Sequence, residues 1–284
     1  MSMFLSFRKL PVGGGTLTDP IAWNSTNDFK LRRVDISKLT GVVAGQEILF
    51  AVHGYNNSQS EAVCTLSRFE HVLKLPPNIV FVGILWPGDS KAGFISYPVE
   101  KPTASDVGRY LAKFCNRKLA RAASISFVSH SLGARVVLET IRGLERETRS
   151  ACLLAAAIER TCLEKEYADS FSKTDSVHVL ASREDEVLRF AFLAGNLFGH
   201  ALDPTAVPLS SALGYAGPRK PIGKTLPPWS IADNEKYDHG DYLPPSDISA
   251  QFPNNAGSWN NPASFVKRAL NGERQTWPAP TAVK

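Results

Sequence analysis

The sequence predicts an α/β fold: a doubly wound, mostly parallel sheet with helices on both faces. Three observations carry this. Short runs such as EILFAV and NIVFVGILW are apolar at nearly every position, as strands buried on both faces require. Between them lie segments with apolar residues three and four apart, the spacing of amphipathic helices. The two kinds alternate along the chain, which is the signature of β-α-β units.

The first 45 residues hold two strand candidates, around Phe4–Lys9 and Phe29–Ile36, separated by a turn at Gly13-Gly14-Gly15. Both alternate in part, as edge strands do. Glu47–Gly54 is a continuous apolar run that ends in glycine. Ser58–Leu73 opens on a Ser-x-x-Glu capping pattern (Ser58, Glu61) and spaces Val63, Leu66, Phe69 and Leu73 as a helix does. Asn78–Trp86 is the next strand, closed by Pro87-Gly88. Thr103–Leu119 has a Thr-x-x-Asp start (Thr103, Asp106) and an apolar stripe from Val107 to Leu119. Ser124–Ser129 reads as strand, Leu132–Leu144 as helix, Ala151–Ile158 and Ser176–Ala181 as strands, and Glu184–Phe198 as a helix.

Past Gly199 the texture changes. Twelve of the 19 prolines fall in the last 85 residues, which predicts largely irregular loops roofing the carboxyl edge of the sheet. A single domain over residues 1–284 is expected, with edge strands in 1–45, the core in 46–198 and these loops in 199–284. No insertion long enough for a large helical cap separates Ala151–Ile158 from Ser176–Ala181.

The net charge of +5 is mild for 284 residues, and no block of like charges offers nucleic acid a basic arm. No apolar run reaches the roughly 18 residues of a membrane span, so no stable membrane insertion is expected. The start MSMFLSFRKL places its apolar residues before Arg8-Lys9 rather than after, unlike a secretory signal. Cys64, Cys115, Cys152 and Cys162 form no CxxC pair and have no metal-type spacing with histidine. They read as buried thiols in a reducing cytoplasm, and neither a metal nor a cofactor is expected.

In a doubly wound sheet, ligands bind at the carboxyl ends of the strands. His53-Gly54-Tyr55-Asn56-Asn57 follows the run ending at Val52, and the glycine permits the sharp reversal and close approach that an oxyanion site needs. His130-Ser131-Leu132-Gly133 follows the run ISFVS, where a strand passing straight into a helix lifts the Ser131 hydroxyl above the sheet. The helix adds the Leu132 N–H and a dipole that favours negative charge. The nucleophile-elbow pattern Gly-x-Ser-x-Gly has Ser129 at its first glycine, a sterically mild replacement. After the run VHVLA comes Ser182-Arg183-Glu184-Asp185-Glu186, in which Asp185 is the best candidate to orient an imidazole. Glu184, Glu186 and the more distant Glu159 are its rivals. Two histidines follow: His200 suits a core or capping role at a helix end, whereas His239, in the polar YDHGDY, suits a loop over the cleft. His130 is expected beside the serine and His178 in the core. His53, Gly54, Trp86 and His130 are expected to line the substrate cleft.

The chain order Ser131, Asp185, His239, with His53-Gly54 upstream, resembles the α/β-hydrolase superfamily. More narrowly it is similar to a bacterial single-domain group of unassigned substrate. The shared segments are VHGYNN (Val52–Asn57), Trp86-Pro87, the elbow His130–Gly133 without its leading glycine and the acid loop Ala181–Asp185, and the match runs from about Glu47 to Tyr242. The resemblance implies Ser131 as nucleophile, His239 as general base and then acid, and Asp185 as its orienting carboxylate. It also implies the N–H groups of Tyr55 and Leu132 as the oxyanion hole. Apolar residues in Gly199–Asn234 would meet an acyl chain. The expected activity is therefore hydrolysis of a small-molecule or lipid-like carboxylic ester. Amide or thioester hydrolysis, or a binding protein on a hydrolase scaffold, are the alternatives.

Overall fold

The computed structural model describes residues 2–89, 97–191, 211–218, 225–226, 235–250, 252 and 257–273. Among the described residues nine strands form one sheet: β1 (Met3–Arg8), β2 (Thr16–Ser25), β3 (Leu31–Arg33), β4 (Glu47–Val52), β5 (Ile79–Leu85), β6 (Ser124–His130), β7 (Thr148–Leu154), β8 (Thr174–Leu180) and β9 (Thr225–Leu226). Their order is β3-β2-β1-β5-β4-β6-β7-β8-β9. Only the β1–β2 and β2–β3 pairs are antiparallel. This is the α/β-hydrolase fold.

Strand order reverses between β4 and β6. From β4 the chain passes through α2 (Gln59–Leu73) to β5 on one side, then through α3 (Tyr97–Lys118) back to β6 on the other. Right-handed crossovers in opposite directions put α2 and α3 on opposite faces of the sheet. α4 (Gly133–Gly143), after β6, packs with α3. The crevice where order reverses lies at the carboxyl ends of β4 and β6, whose Val52 and Ser129 are register partners. The core lies on both sides of these strands, with Ile48, Phe50, Ile125, Phe127, Leu153 and Val179 buried.

The Ser58 cap of α2 forms as expected: the Glu61 N–H donates to Ser58 Oγ and the Ser58 N–H to Glu61 Oε2. Elsewhere the structure corrects the reading. β1 is no edge strand, since it lies between β2 and β5 and its side chains from Phe4 onward are buried. β2 runs through Pro20, a residue that argues against a strand. The proline falls at the register shift between Ser6 and Arg8 on β1, where no ladder bond is needed. Of Phe29–Ile36 only Leu31–Arg33 is strand, and α1 (Ile36–Val43) follows, capped by Asp35.

Thr103 and Asp106 cap nothing. α3 starts at Tyr97 and carries Pro102 inside it, forgoing one backbone bond, while Asp106 pairs with Arg109 on the surface. β7 stops at Leu154, and buried Ala155, at φ 44°, turns the chain away. α5 (Ala168–Ser172) and the short α6 (Leu213–Ala216) follow. The proline-rich tail is not wholly irregular. α7 (Asn260–Leu270) buries Phe265, Val266, Ala269 and Leu270, packs on α2 and β7, and tolerates Pro262 in its first turn. Of the expected Glu184–Phe198 helix, Glu184 and Asp185 lie in a non-helical turn, and helical structure begins at residue 186 and continues as a π-helical turn over 187–191. Residues 192–198, like His200 and most of Gly199–Asn234, lie outside the described residues. Among the described residues no helix is long and apolar enough to cross a membrane.

Candidate active site

Ser131 stands between β6 and α4 with φ 54°, a left-handed conformation that costs a non-glycine residue about 1–3 kcal/mol. Two backbone bonds hold it there: the Ser131 N–H donates to Leu154 O (3.0 Å), and Ser131 O accepts from the Ala157 N–H (3.1 Å). The chain that turns away after β7 is thus what clamps the elbow. Gly133 must lack a side chain, because a Cβ there would sit 2.6 Å from His53 O and 2.9 Å from Val52 O. The other elbow position needs no glycine. Ser129 is buried and paired to Val52 and Leu153 on either side.

Ser131 Oγ–H points to His239 Nε2 (3.0 Å), and His239 Nδ1–H donates to Asp185 Oδ2 (2.8 Å). Ser131 is 6% exposed and Asp185 0%, while the His239 side chain keeps 16%. Asp185 follows β8, and its second oxygen accepts the Leu188 N–H (2.8 Å). Among the four candidate acids it is Asp185 that His239 contacts; Glu184 and Glu186 are exposed, and Glu159 accepts a hydrogen bond from Thr161.

His239 opens a short 3₁₀ turn, His239–Tyr242. Asp238 caps it: its carboxylate accepts the His239 N–H (2.7 Å) and, from the acid loop, the Glu186 N–H (3.1 Å). Asp241 returns a bond to the Asp238 N–H (2.8 Å). Ser182 adds a second tie, donating to Tyr237 O (2.6 Å). Acid and base loops are therefore stitched together beside the contact they make. The sequence reading missed Asp238 and Ser182, although the D-x-x-D spacing of Asp238 and Asp241 is a capping signature.

His130 lies beside the serine, as expected. Its Nε2–H donates to His239 O (2.9 Å) and the two rings are 4.7 Å apart. Burial, then the facing His239, pulls its pKa down to about 3, so it stays neutral when His239 takes a proton.

Gly54 lies against the elbow, where a Cβ would be 2.8 Å from His130 Nδ1 and 3.0 Å from Ser131 Cβ. The Gly54 carbonyl accepts from His53 Nδ1–H (2.7 Å). A trans peptide is planar, so fixing that C=O fixes the Tyr55 N–H in the opposite direction. His53 is held in its turn: the Trp86 N–H donates to His53 Nε2 (3.2 Å) and Trp86 Nε1–H to His53 O (2.9 Å). This corrects the expectation that His53 and Trp86 line the substrate cleft. They are 1% and 0% exposed, and their polar atoms are directed at the Gly54–Tyr55 peptide and at each other. Burial, then Arg8, lowers the His53 pKa to about 3 and keeps the ring neutral. The Leu132 N–H sits at the N-cap of α4, among the donors that a helix leaves without intrahelical partners.

An imidazole at hydrogen-bond distance from a hydroxyl, and oriented by a buried carboxylate, has the geometry to deprotonate that hydroxyl as it attacks an electrophile. His178 is buried in the core against Phe265, and all four cysteines are buried with free thiols. Among the described residues no group of three or more His, Cys, Asp or Glu could hold a metal ion.

A family model described as "Alpha/beta hydrolase of unknown function (DUF900)" matches residues 33–251. Similar solved structures include carboxyl esterase 2 from the mycorrhizal fungus Tuber melanosporum, 14% identical over 95% of this chain and 88% of that one, with a TM-score of 0.41. An esterase from Pyrobaculum calidifontis is 13% identical over 78% and 74% of the two chains, with a TM-score of 0.36. No curated protein matches the chain.

Proposed function

We propose that this chain, which belongs to the alpha/beta hydrolase family of unknown function DUF900, is a serine hydrolase that cleaves carboxylic esters through an acyl-enzyme. The observation that carries the reading is the continuous line of contacts from a strained Ser131 through His239 to buried Asp185.

His239 Nε2 takes the Ser131 proton as Oγ attacks the ester carbon. The carbonyl oxygen becomes an oxyanion received by the N–H groups of Tyr55 and Leu132, each worth on the order of 3 kcal/mol of barrier. Asp185 holds the imidazole in the Nδ1–H tautomer and stabilises the imidazolium, whose proton then passes to the departing alkoxide. Water enters, His239 takes its proton, and a second tetrahedral intermediate collapses to free acid and Ser131. Neutral His130 adds no competing positive charge beside the imidazolium and anchors the backbone of the base. The substrate is a small-molecule or lipid-like ester.

The test combines a fluorophosphonate probe with p-nitrophenyl esters of increasing acyl length, on wild type and Ser131→Ala. Expected are covalent labelling at Ser131 and a loss of turnover of about 10⁴-fold or more in the variant. A folded wild type that is not labelled, or a variant with unchanged turnover, defeats the proposal. Faster turnover of matched anilides or thioesters would change the substrate class and leave the triad in place.

A further inference from the structure

We propose that Arg8 is a positioning residue for the oxyanion turn: anchored by Asp89, it holds the Gly54–Tyr55 peptide in place through Asn57. The proposal rests on the serine-hydrolase reading above.

Arg8 ends β1, three strands from the nucleophile strand in the order β1-β5-β4-β6. The register shift between Ser6 and Arg8 marks the irregularity at which a bulge re-aims a side chain. The ion pair with Asp89 is buried, with side-chain exposures of 1% for Arg8 and 9% for Asp89. Such a pair recovers its desolvation cost only with further hydrogen bonds, and here those bonds go to two loops, the β1–β2 turn and the turn after β4. Arg8 donates to Pro11 O (3.3 Å) in the β1–β2 turn and to Asn57 O in the turn after β4. Asp89, beyond β5, accepts from Arg8 with one oxygen and from the Gly13 N–H (3.1 Å) with the other. The turns after β4 and β5 also meet directly, the Asn56 N–H donating to Gly88 O (2.6 Å).

Asn57 passes this anchoring on. With its own carbonyl held by Arg8, its side-chain amide reaches back to Gly54 O (3.3 Å) and Tyr55 O (3.1 Å). Asn56, at φ 61°, makes the reversal that lets it do so. Gly54 O thus has two struts, His53 from the core and Asn57 from the rim, and the Tyr55 N–H opposite it follows both. The 3.3 Å bond is the longer of the two, so its geometry depends on where Arg8 places the Asn57 backbone. The guanidinium also acts on the first strut, contributing after burial to keeping His53 neutral.

The experiment compares an ester with its thionoester (C=S in place of C=O) on wild type, Arg8→Lys, Asp89→Asn and Asn57→Ala. Sulfur accepts hydrogen bonds weakly, so preference for the oxygen ester reports on the oxyanion donors. Each variant is expected to lose about 10- to 100-fold in kcat on the oxygen ester at unchanged KM, while thionoester turnover barely moves. Arg8→Lys keeps the charge and loses the planar fork, so it should not rescue. Asn57→Ala leaves the ion pair whole and remains informative if the other two fold poorly. Equal loss on both substrates, or an unchanged preference, overturns the positioning role while leaving Ser131 chemistry standing. A wild type that hydrolyses neither ester and is not labelled at Ser131 overturns the hydrolase reading, and this proposal with it.

Discussion

At the scale of single residues, the two serines of the elbow have opposite environments. Ser131 is held at positive φ with its hydroxyl shared with His239, whereas the Ser129 hydroxyl is buried and finds no partner among the described residues. An unsatisfied buried hydroxyl costs about 1–3 kcal/mol. Ser129→Ala should therefore raise unfolding free energy by about 1 kcal/mol, read by urea denaturation, with kcat within about twofold of wild type. A loss of stability would show that the hydroxyl has a structural role. Chain order singled out Ser131, Asp185 and His239, and these are the side chains the structure brings within hydrogen-bonding distance of one another. Three consecutive acidic residues left the acid open, because adjacent positions differ in direction more than in chemistry. Direction also misled for His53 and Trp86, which occupy the expected strand ends but point into the protein.

At the scale of elements, strands apolar on both faces were legible and their ends were not. β4 and β6 lie where their apolar runs place them, because burial on both faces leaves a continuous signal. Proline obscured β2 and the start of α3. It is tolerated where a bulge removes the need for its N–H, or where the fold accepts one missing helical bond. The base turn shows what local reading leaves out. Its capping box is visible in sequence, but the Asp238 bond to the Glu186 N–H comes only with the fold. Asp238→Ala removes a cap and the tie between acid and base loops. It should cost about 1–2 kcal/mol of stability and lower kcat several-fold with KM retained, whereas Asp238→Asn, which keeps an acceptor, should recover most of both. Equal kcat in wild type and Asp238→Ala would show that the Asp185–His239 contact needs no such support.

At the scale of the molecule, alternation of strands and helices predicted the parallel sheet. Edge strands were expected in the first 45 residues, but not that three strands would extend the sheet beyond β5 in the order β3-β2-β1, since that docking depends on pairing across long sequence separation. The assembled core sets a property of the whole chain, its response to acid. His53, His130 and His178 have pKa values lowered from 6.5 to about 3, 3 and 4, in each case chiefly by burial. A histidine whose folded pKa is depressed contributes stability that is fully present above its unfolded value of 6.5. That stability is lost as pH falls from there toward 3–4, because the unfolded chain binds a proton the folded one refuses. Asp28, Asp35 and Asp247, with pKa values lowered from 3.8 at the exposed surface, act only at lower pH, whereas Glu70, raised from 4.5 by burial, works in the opposite sense and offsets part of the histidine slope. Near pH 5 each histidine steepens the dependence by up to about 1.4 kcal/mol per pH unit, or about 4 for the three together. Denaturation midpoints measured from pH 8 to pH 4.5 should be level above about 7 and fall steeply below 6.5. His178 lies in the core apart from Ser131 and packs edge-on to Phe265, so it offers the clean control. His178→Leu should remove about a third of the acid slope, whatever its effect at pH 8. A midpoint that stays level down to pH 5, or a variant with the full wild-type slope, would mean that these rings are solvated enough to take up protons while folded.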